Sequence, residues 1–566
     1  MPVTFGLDLG NTNCCLAYYQ TDDSKSSLVA IQDDPGKPTQ LRNVLRSAVL
    51  FPLNATSEII VGRKAVSASP DSGLRFINFK SDLMHGATRT LSQRGVSKTP
   101  QDALIELLRS LKTNAAHSSE LGHLFEMMDG PDSQIRPNEP PYINLCAPTQ
   151  SNLLYFRHLL QALVASGWYV NTATAEEHCT FLPEPVAVLL NHSNKAQQNY
   201  LVFDYGGLTL DMALAQVQPD SPIHYNVLKT LRVQTVIKGR SYDVGGSFID
   251  RLLLGRLLDT MPGGLEALVG VAKDAYPTLN FDPNDLLSLI RMDCQPESLL
   301  EADEVVRMYQ NLLLDVETTR IGLSENMTTP WRLNTSSQLG AVSSGVTATT
   351  TMLEDVLSTT LNAIHDAIAE MMAEANIKID RYILAGGCSQ TPRIIDDLKR
   401  KYGVNRVYLP TDFSPLETIA AGAARAATGQ GGRVFEGITD TDYGVWTGDE
   451  SDGKFSIIIP RGTAYSETRL PPHSIPEPGK GKSRKYQSQR GEDTIKFILG
   501  QRSPNTADGD KWQKIGELDV PYDRNKGEFS LYFEIDARHQ LRIKVLETAL
   551  NRLVNLPIDY VSLIAE

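Results

Sequence analysis

Apolar positions along the first 428 residues follow two periods. Short apolar runs fit strands, and longer stretches carry apolar residues three and four apart, as one face of a helix does. Residues 1–180 alternate such strands with helical stretches, 100–114 among them. Residues 195–380 repeat the order, with long helices predicted over 303–325 and 350–375. The repetition predicts an α/β unit of two similar lobes. Segment 117–141 is rich in Ser, Asp, Gly and Pro and reads as an irregular insertion. Beyond Ala427 the period shortens to two: 455–459, 494–499, 528–536 and 541–545 alternate as strands do, between loops rich in Pro and Gly. This pattern predicts an all-β sandwich over 442–566, joined to the α/β unit by a link at 429–441. The last strand-like run is 558–564, and no long helical stretch follows it.

Candidate chemistry sits where three apolar strands run into glycine-bearing turns. The first is Phe5-Gly6-Leu7-Asp8-Leu9-Gly10-Asn11-Thr12-Asn13, and the second is Phe203-Asp204-Tyr205-Gly206-Gly207-Leu208-Thr209-Leu210-Asp211. The third is Tyr382-Ile383-Leu384-Ala385-Gly386-Gly387-Cys388-Ser389. Glycine lets backbone approach a ligand closely, and the N–H groups of such turns form nests that attract phosphate oxygens. Hydroxyl and amide side chains add hydrogen bonds. A carboxylate beside phosphate is repulsive unless a hydrated Mg²⁺ sits between them, an ion that keeps several waters and uses few carboxylates. Each turn alone is also what an ordinary hairpin looks like. The three together predict a polyphosphate site in a cleft between the lobes, a position compatible with the switch-point rule for open sheets.

Composition narrows the function classes. The 566 residues include 54 basic and 67 acidic ones, for a net charge of −13. That lacks the basic footprint of broad nucleic-acid binding. No apolar run reaches the length of a membrane span. The amino terminus enters the first strand without a basic segment or cleavage site, so no signal peptide and a cytoplasmic location are expected. The six cysteines form no Cys-x-x-Cys pair and accompany no His cluster, so they are read as buried apolar residues rather than zinc ligands. Cys14, Cys15 and Cys388 flank the predicted cleft. The basic run 478–486 contains Gly-Lys-Ser, but Pro476 stands where a phosphate loop of that type needs glycine.

Residues 6–13 resemble the first phosphate motif of the 70-kDa heat-shock (DnaK-type) chaperones. Residues 203–211 resemble their second phosphate motif, and 385–392 their adenosine motif. Leu182-Pro183-Glu184-Pro185-Val186 resembles the family's connecting segment, Gly245-Gly246-Ser247-Phe248 its double-glycine stretch, and 412–424 its closing helix. The likeness runs in order over 1–428, within the wider actin, sugar-kinase and chaperone superfamily. It implies a two-lobed, actin-like (ribonuclease-H-like) ATPase domain over 1–428 and a peptide-binding β-sandwich after the link.

The resemblance also implies residue roles. Asp8, Glu184 and Asp204 would surround Mg²⁺ and order the attacking water, with Lys80 as the catalytic lysine and Thr209 beside the phosphates. Gly10, Asn11, Thr12, Asn13, Gly206, Gly207, Gly245 and Gly246 would cradle ATP or ADP. Glu317, Arg320, Ser324, Gly386, Gly387 and Cys388 would flank the adenosine, and Asp211 would help bind a monovalent cation, K⁺. Without the resemblance, Lys80 reads as a surface lysine and Glu317–Arg320 as a solvated ion pair. The implied partners are unfolded or extended peptides, a J-domain co-chaperone and a nucleotide exchange factor.

Three departures stand out: Leu208 replaces a glycine, Asn11 a threonine, and Gln390 an arginine that stacks on adenine. At positive φ, Leu208 would cost about 1 kcal/mol or more; otherwise the phosphate-binding backbone shifts. The likeness to the family's leucine-rich linker is loose, and its helical lid is not evident. The expected function is an ATP-dependent chaperone with slow hydrolysis. The alternatives are a nucleotide-binding adaptor or exchange factor with little turnover, and a small-molecule kinase or filament protein, the last disfavoured by the C-terminal β-module.

Overall fold

Two sheets with the same strand order frame the first part of the chain. In the first lobe the central strand Thr4–Leu9 (β1) pairs antiparallel with Asn13–Tyr19 (β2), and β2 with Ser27–Leu28 (β3) and Val44–Arg46 (β4). On its other side β1 pairs parallel with Tyr142–Ala147 (β5), and β5 with Cys179–Pro183 (β6). The second lobe repeats this plan. Gln198–Tyr205 (β7) pairs antiparallel with Leu210–Gln218 (β8), and β8 with Ile223–Arg232 (β9). On the other side β7 pairs parallel with Arg381–Ala385 (β10), and β10 with Val407–Tyr408 (β11). Each central hairpin therefore presents its turn at the carboxyl end of its first strand.

The computed structural model describes residues 3–556 apart from 20–25, 35–40, 55, 70–71, 85–89, 94–95, 119–120, 123–139, 150, 152, 192–196, 219–222, 276, 278–281, 295–302, 326–327, 335–340, 427–432, 440, 448–453, 469–481, 487–493, 503–511, 522–528, 537–539 and 548–551. Most of the expected insertion at 117–141, part of the link at 429–441, the start of the basic run at 478–486 and the strand-like run at 558–564 lie outside the described residues.

Helices cover both sheets, and their ends follow from local chemistry. Pro100–Ala116 begins with Thr99 and Asp102 capping each other's backbone N–H, and it buries Ala103, Leu104, Leu107, Leu108 and Leu111 at helical spacing. Thr349 caps Thr350–Ala375, which ends where Asn376 turns left-handed at φ 49°. The helix Thr418–Ala426 (α1) packs against β1, β2 and the helix Glu184–Leu190. It starts later than 412, because Pro415 lies in the loop before it and offers its carbonyl to Gly386 N at 2.9 Å.

Arg433–Glu436, within the expected link, runs parallel to β9 as the outer strand of the second lobe's sheet. Two four-stranded antiparallel sheets follow. Lys454–Ile459, Asp442–Thr447, Thr494–Arg502 and Gln513–Pro521 form one, in that order. Lys482–Tyr486, Phe529–Ile535, Leu541–Glu547 and Arg552–Leu556 form the other. Val445, Ile459, Leu499 and Ile515 from the first meet Leu531, Phe533, Ile543 and Val545 from the second in one core, a sandwich. Its rim rests on the first lobe. Gln540 Nε2 donates to the Glu176 and Cys179 carbonyls at 3.0 Å each, and Arg542 Nη1 meets Glu176 Oε2 at 3.2 Å. No helix among the described residues is long and apolar enough to cross a membrane.

Candidate functional site

The two hairpin turns meet at the base of a cleft of about 860 Å³ between the lobes. A Cβ placed on Gly207 would fall 2.0 Å from Thr12 Oγ1, so the second turn approaches the first as closely as only glycine permits. The first turn is braced from outside. Ser47 Oγ donates to the Gly10 carbonyl at 2.6 Å, and Ser47 N donates to the Thr12 carbonyl at 2.9 Å. Behind the second turn, Gly246 N donates to the Gly206 carbonyl at 3.0 Å and Ser247 N to that of Gly207 at 2.6 Å. Gly386, at φ 81°, closes the third turn against Tyr205, where any side chain would be strained.

Asn11, one of the three departures, acquires a structural account. Its Nδ2 donates to Asn78 Oδ1 at 2.9 Å. Asn78 holds a left-handed φ of 55°, a conformation that asparagine tolerates, and leads directly into the helix Phe79–Met84 that carries Lys80. The Asn11 side chain thus ties the first turn to the segment that places the lysine.

Lys80 Nζ donates to Glu184 Oε1 at 2.6 Å, and both side chains are less than a tenth exposed. Asp8 and Asp204 are buried beside them. Burial, and then the Glu184 charge, push the Asp8 carboxyl up to about 8, against the pull of Lys80. Burial, followed by Glu184 and Asp8, also holds Asp204 well above the usual carboxylate range. Burial, the largest single effect, works against the charge on Lys80, but Glu184, Tyr155 and Asp8 together outweigh it and keep the ammonium protonated. Three carboxyls therefore share one lysine. When ionised they exceed it by two charges, which a divalent cation would match, so the donor set fits Mg²⁺. Among the described residues no three His, Cys, Asp or Glu side chains form a direct ligand cluster, and a hydrated ion needs none.

At the far end of the cleft, Glu317, Arg320 and Ser324 lie on the helix Asp303–Ser324, but each is already engaged. Glu317 takes a two-pronged pair from Arg46 of the first lobe, at 3.0 and 2.5 Å, which spans the cleft mouth. Burial alone would raise the Glu317 pKa; Arg46 holds it below its ordinary value. Arg320 Nε donates to Asp250 Oδ1 at 2.6 Å, and Ser324 Oγ turns back to the Arg320 carbonyl at 3.0 Å. Gly387 and Cys388 open the short turn Gly387–Gln390, with the Cys388 thiol pushed up to about 11 by burial. Gln390 and Ile321, both exposed, line the same end.

The remaining residues sort by depth. Asp8, Gly10, Asn11, Thr12, Asn13, Lys80, Glu184, Asp204, Gly206, Gly207, Thr209, Glu317, Arg320, Ser324, Gly386, Gly387 and Cys388 all line the cleft. Gly245, Gly246 and Asp211 stand behind its wall rather than on it. Leu208 does not take positive φ; its half-buried side chain packs against the first lobe's core, so the expected strain is absent. The sequence reading missed Arg46, Asp250, Arg232 and Tyr155, whose ring centre lies 6.0 Å from Lys80 Nζ. Each acts through a partner distant in sequence, and only Tyr155, an aromatic on a strongly apolar helix, left a local signal.

The Hsp70 protein family model matches residues 242–442, a stretch that begins before Gly245-Gly246 and ends after the closing helix. Chaperone protein DnaK of two strains of Burkholderia cenocepacia is 22% identical, over 96% of this chain and 75% of the relative. Chaperone protein DnaK of Burkholderia orbicola matches to the same extent. The chain is similar to the Hsp70 family, through the family model over residues 242–442 and through an alignment that runs along nearly its whole length. The low identity agrees with the replacements at Asn11, Leu208 and Gln390.

Proposed function

We propose that the chain is an ATP-regulated chaperone. ATP binds in the interlobe cleft and is hydrolysed slowly, and lobe closure changes how the β-sandwich holds extended peptide by strand-like pairing. The observation that carries this reading is the gathering of Asp8, Lys80, Glu184 and Asp204 at the meeting point of the two glycine turns. The N–H groups of 10–13 and 206–209 would receive the polyphosphate. Bound Mg²⁺ would offset the negative charge shared by phosphate and carboxylates. Lys80 would face the charge that develops on the γ-phosphate. Asp8 and Asp204 would hold the attacking water, and Glu184 would keep Lys80 in place. J-domain and exchange-factor partners follow from the same reading.

Radiolabelled ATP turnover by the purified chain, compared with Lys80→Ala and Asp204→Ala, tests the assignment. Removing a positioned electrostatic group costs about 10²–10³ in rate. Equal rates in all three proteins would remove the assignment. Melting temperatures belong alongside, because Lys80→Ala strands Glu184 in a buried site.

A second reading, a nucleotide-binding adaptor with little turnover, draws on a specific observation. Leu208 fills space at the phosphate turn, and Arg320 and Glu317 are paired within the chain to Asp250 and Arg46. The two readings separate on whether ATP changes the affinity for an extended apolar peptide. The chaperone requires a change; the adaptor does not.

A further inference from the structure

The monovalent cation implied beside Asp211 meets a residue already in its place. In the β8–β9 pairing Asp211 lies directly opposite Arg232. Asp211 is fully buried and Arg232 is 7% exposed. Arg232 Nε donates to Asp211 Oδ1 at 3.4 Å, and Thr149 Oγ1 donates to the same oxygen. Arg232 Nη2 also donates to the Thr149 carbonyl. Thr149 lies just past β5 of the first lobe, so one guanidinium joins both lobes beneath the hairpins.

The remaining oxygen, Asp211 Oδ2, has no hydrogen-bond partner among the described residues and is the point where an ion could bind. An ion there would place two positive charges on one buried carboxylate, where water screens poorly. Arginine cannot release its charge to make room. The residues therefore do not fit a bound monovalent cation. Asp211 in turn lies directly opposite Asp204 across the β7–β8 pair. A fixed positive charge behind Asp211 thus limits the negative charge that builds up behind the cleft carboxylates.

We propose that Arg232 is the resident cation of this site: its guanidinium takes the place of a monovalent ion beside Asp211, and nucleotide binding by this chain does not depend on K⁺. The second clause rests on the ATP reading above; the first does not.

Crystals of the full chain and of Arg232→Met, grown in rubidium chloride, test the first clause by anomalous scattering. The expected result is no rubidium peak at Asp211 in the natural chain and a peak in Arg232→Met. A peak beside Asp211 in the natural chain overturns the proposal, and so does the absence of a peak in both proteins. Arg232→Gln serves if the methionine variant does not fold. Affinity for Mg²⁺-ATP, measured at equal ionic strength in potassium and in choline chloride, tests the second clause. The natural chain is expected to agree within about twofold and Arg232→Met to weaken about tenfold without potassium. A tenfold potassium requirement in the natural chain overturns the proposal. If no ATP binds in any salt, the ATP reading fails while the rubidium result still decides the role of Arg232.

Discussion

The two central hairpins share a backbone plan and divide the electrostatic work. In the first lobe Asp8 faces Cys15 across the strand pair, and the lobe supplies a cation, Lys80, that stands in the cleft. In the second lobe Asp204 faces Asp211, and the lobe supplies a cation, Arg232, that stands behind the hairpin. Beside its hairpin the first lobe keeps a positive charge in the cleft. Beside its own, the second uses Arg232 to stabilise a buried carboxylate and to hold the lobes together. Repeated topology therefore does not imply repeated chemistry, and position relative to the cleft distinguishes the two roles.

The sharpest way to break this comparison is within one register pair. Asp204→Asn is expected to lower ATP turnover by about 10²–10³. Asp211→Asn is expected to act mainly on stability. It leaves Arg232 buried without its anion, a loss of about 3–5 kcal/mol that a denaturant melt reads directly. Similar effects of the two variants on turnover at unchanged stability would erase the distinction.

A second effect concerns pH. The Asp8 carboxyl titrates at about 8 in the folded chain against an ordinary 3.8. Between these values the folded state keeps a proton that the unfolded chain has lost. Metal-free protein therefore gains most from this group below about pH 4 and loses that stability as pH rises toward 8, by at most about 1.4 kcal/mol per pH unit. Melting temperatures in chelator across that range should fall less steeply for Asp8→Asn, and Mg²⁺, which favours the ionised form, should flatten the natural profile. Parallel slopes for the two proteins would contradict the account.

The smallest effect is expected at the cleft mouth, where Arg46 and Glu317 join the lobes without touching the carboxylates. Arg46→Ala should speed nucleotide release about tenfold, equivalent to about 1.4 kcal/mol, and leave single-turnover hydrolysis nearly unchanged. Stopped-flow release of a fluorescent ADP measures it.

Much of this arrangement is legible from local sequence, because glycine turns, helix caps and apolar periods act over a few residues. The helix expected at 350–375 and the strand expected at 528–536, observed as Phe529–Ile535, are cases in point. The meeting of the three turns at one cleft is legible for the same reason. What escapes is pairing across distance. Arg232 reaches Asp211 through strand register, 21 residues on, and Arg46 reaches Glu317 across 271. The cost expected at Leu208 presumed positive φ, but the backbone there avoids it and the side chain packs on the opposite lobe. Residues 433–436 look like part of a link because their apolar run is short, yet the exposed edge of β9 gives them a strand to pair with.

The most direct test of the central claim is a crystal structure of the chain with ATP and Mg²⁺. The account predicts polyphosphate density between the Thr12 and Gly207 turns, with the metal beside Asp8 and Asp204 and the γ-phosphate facing Lys80. An empty cleft at saturating ATP, or nucleotide bound elsewhere on the molecule, would contradict it.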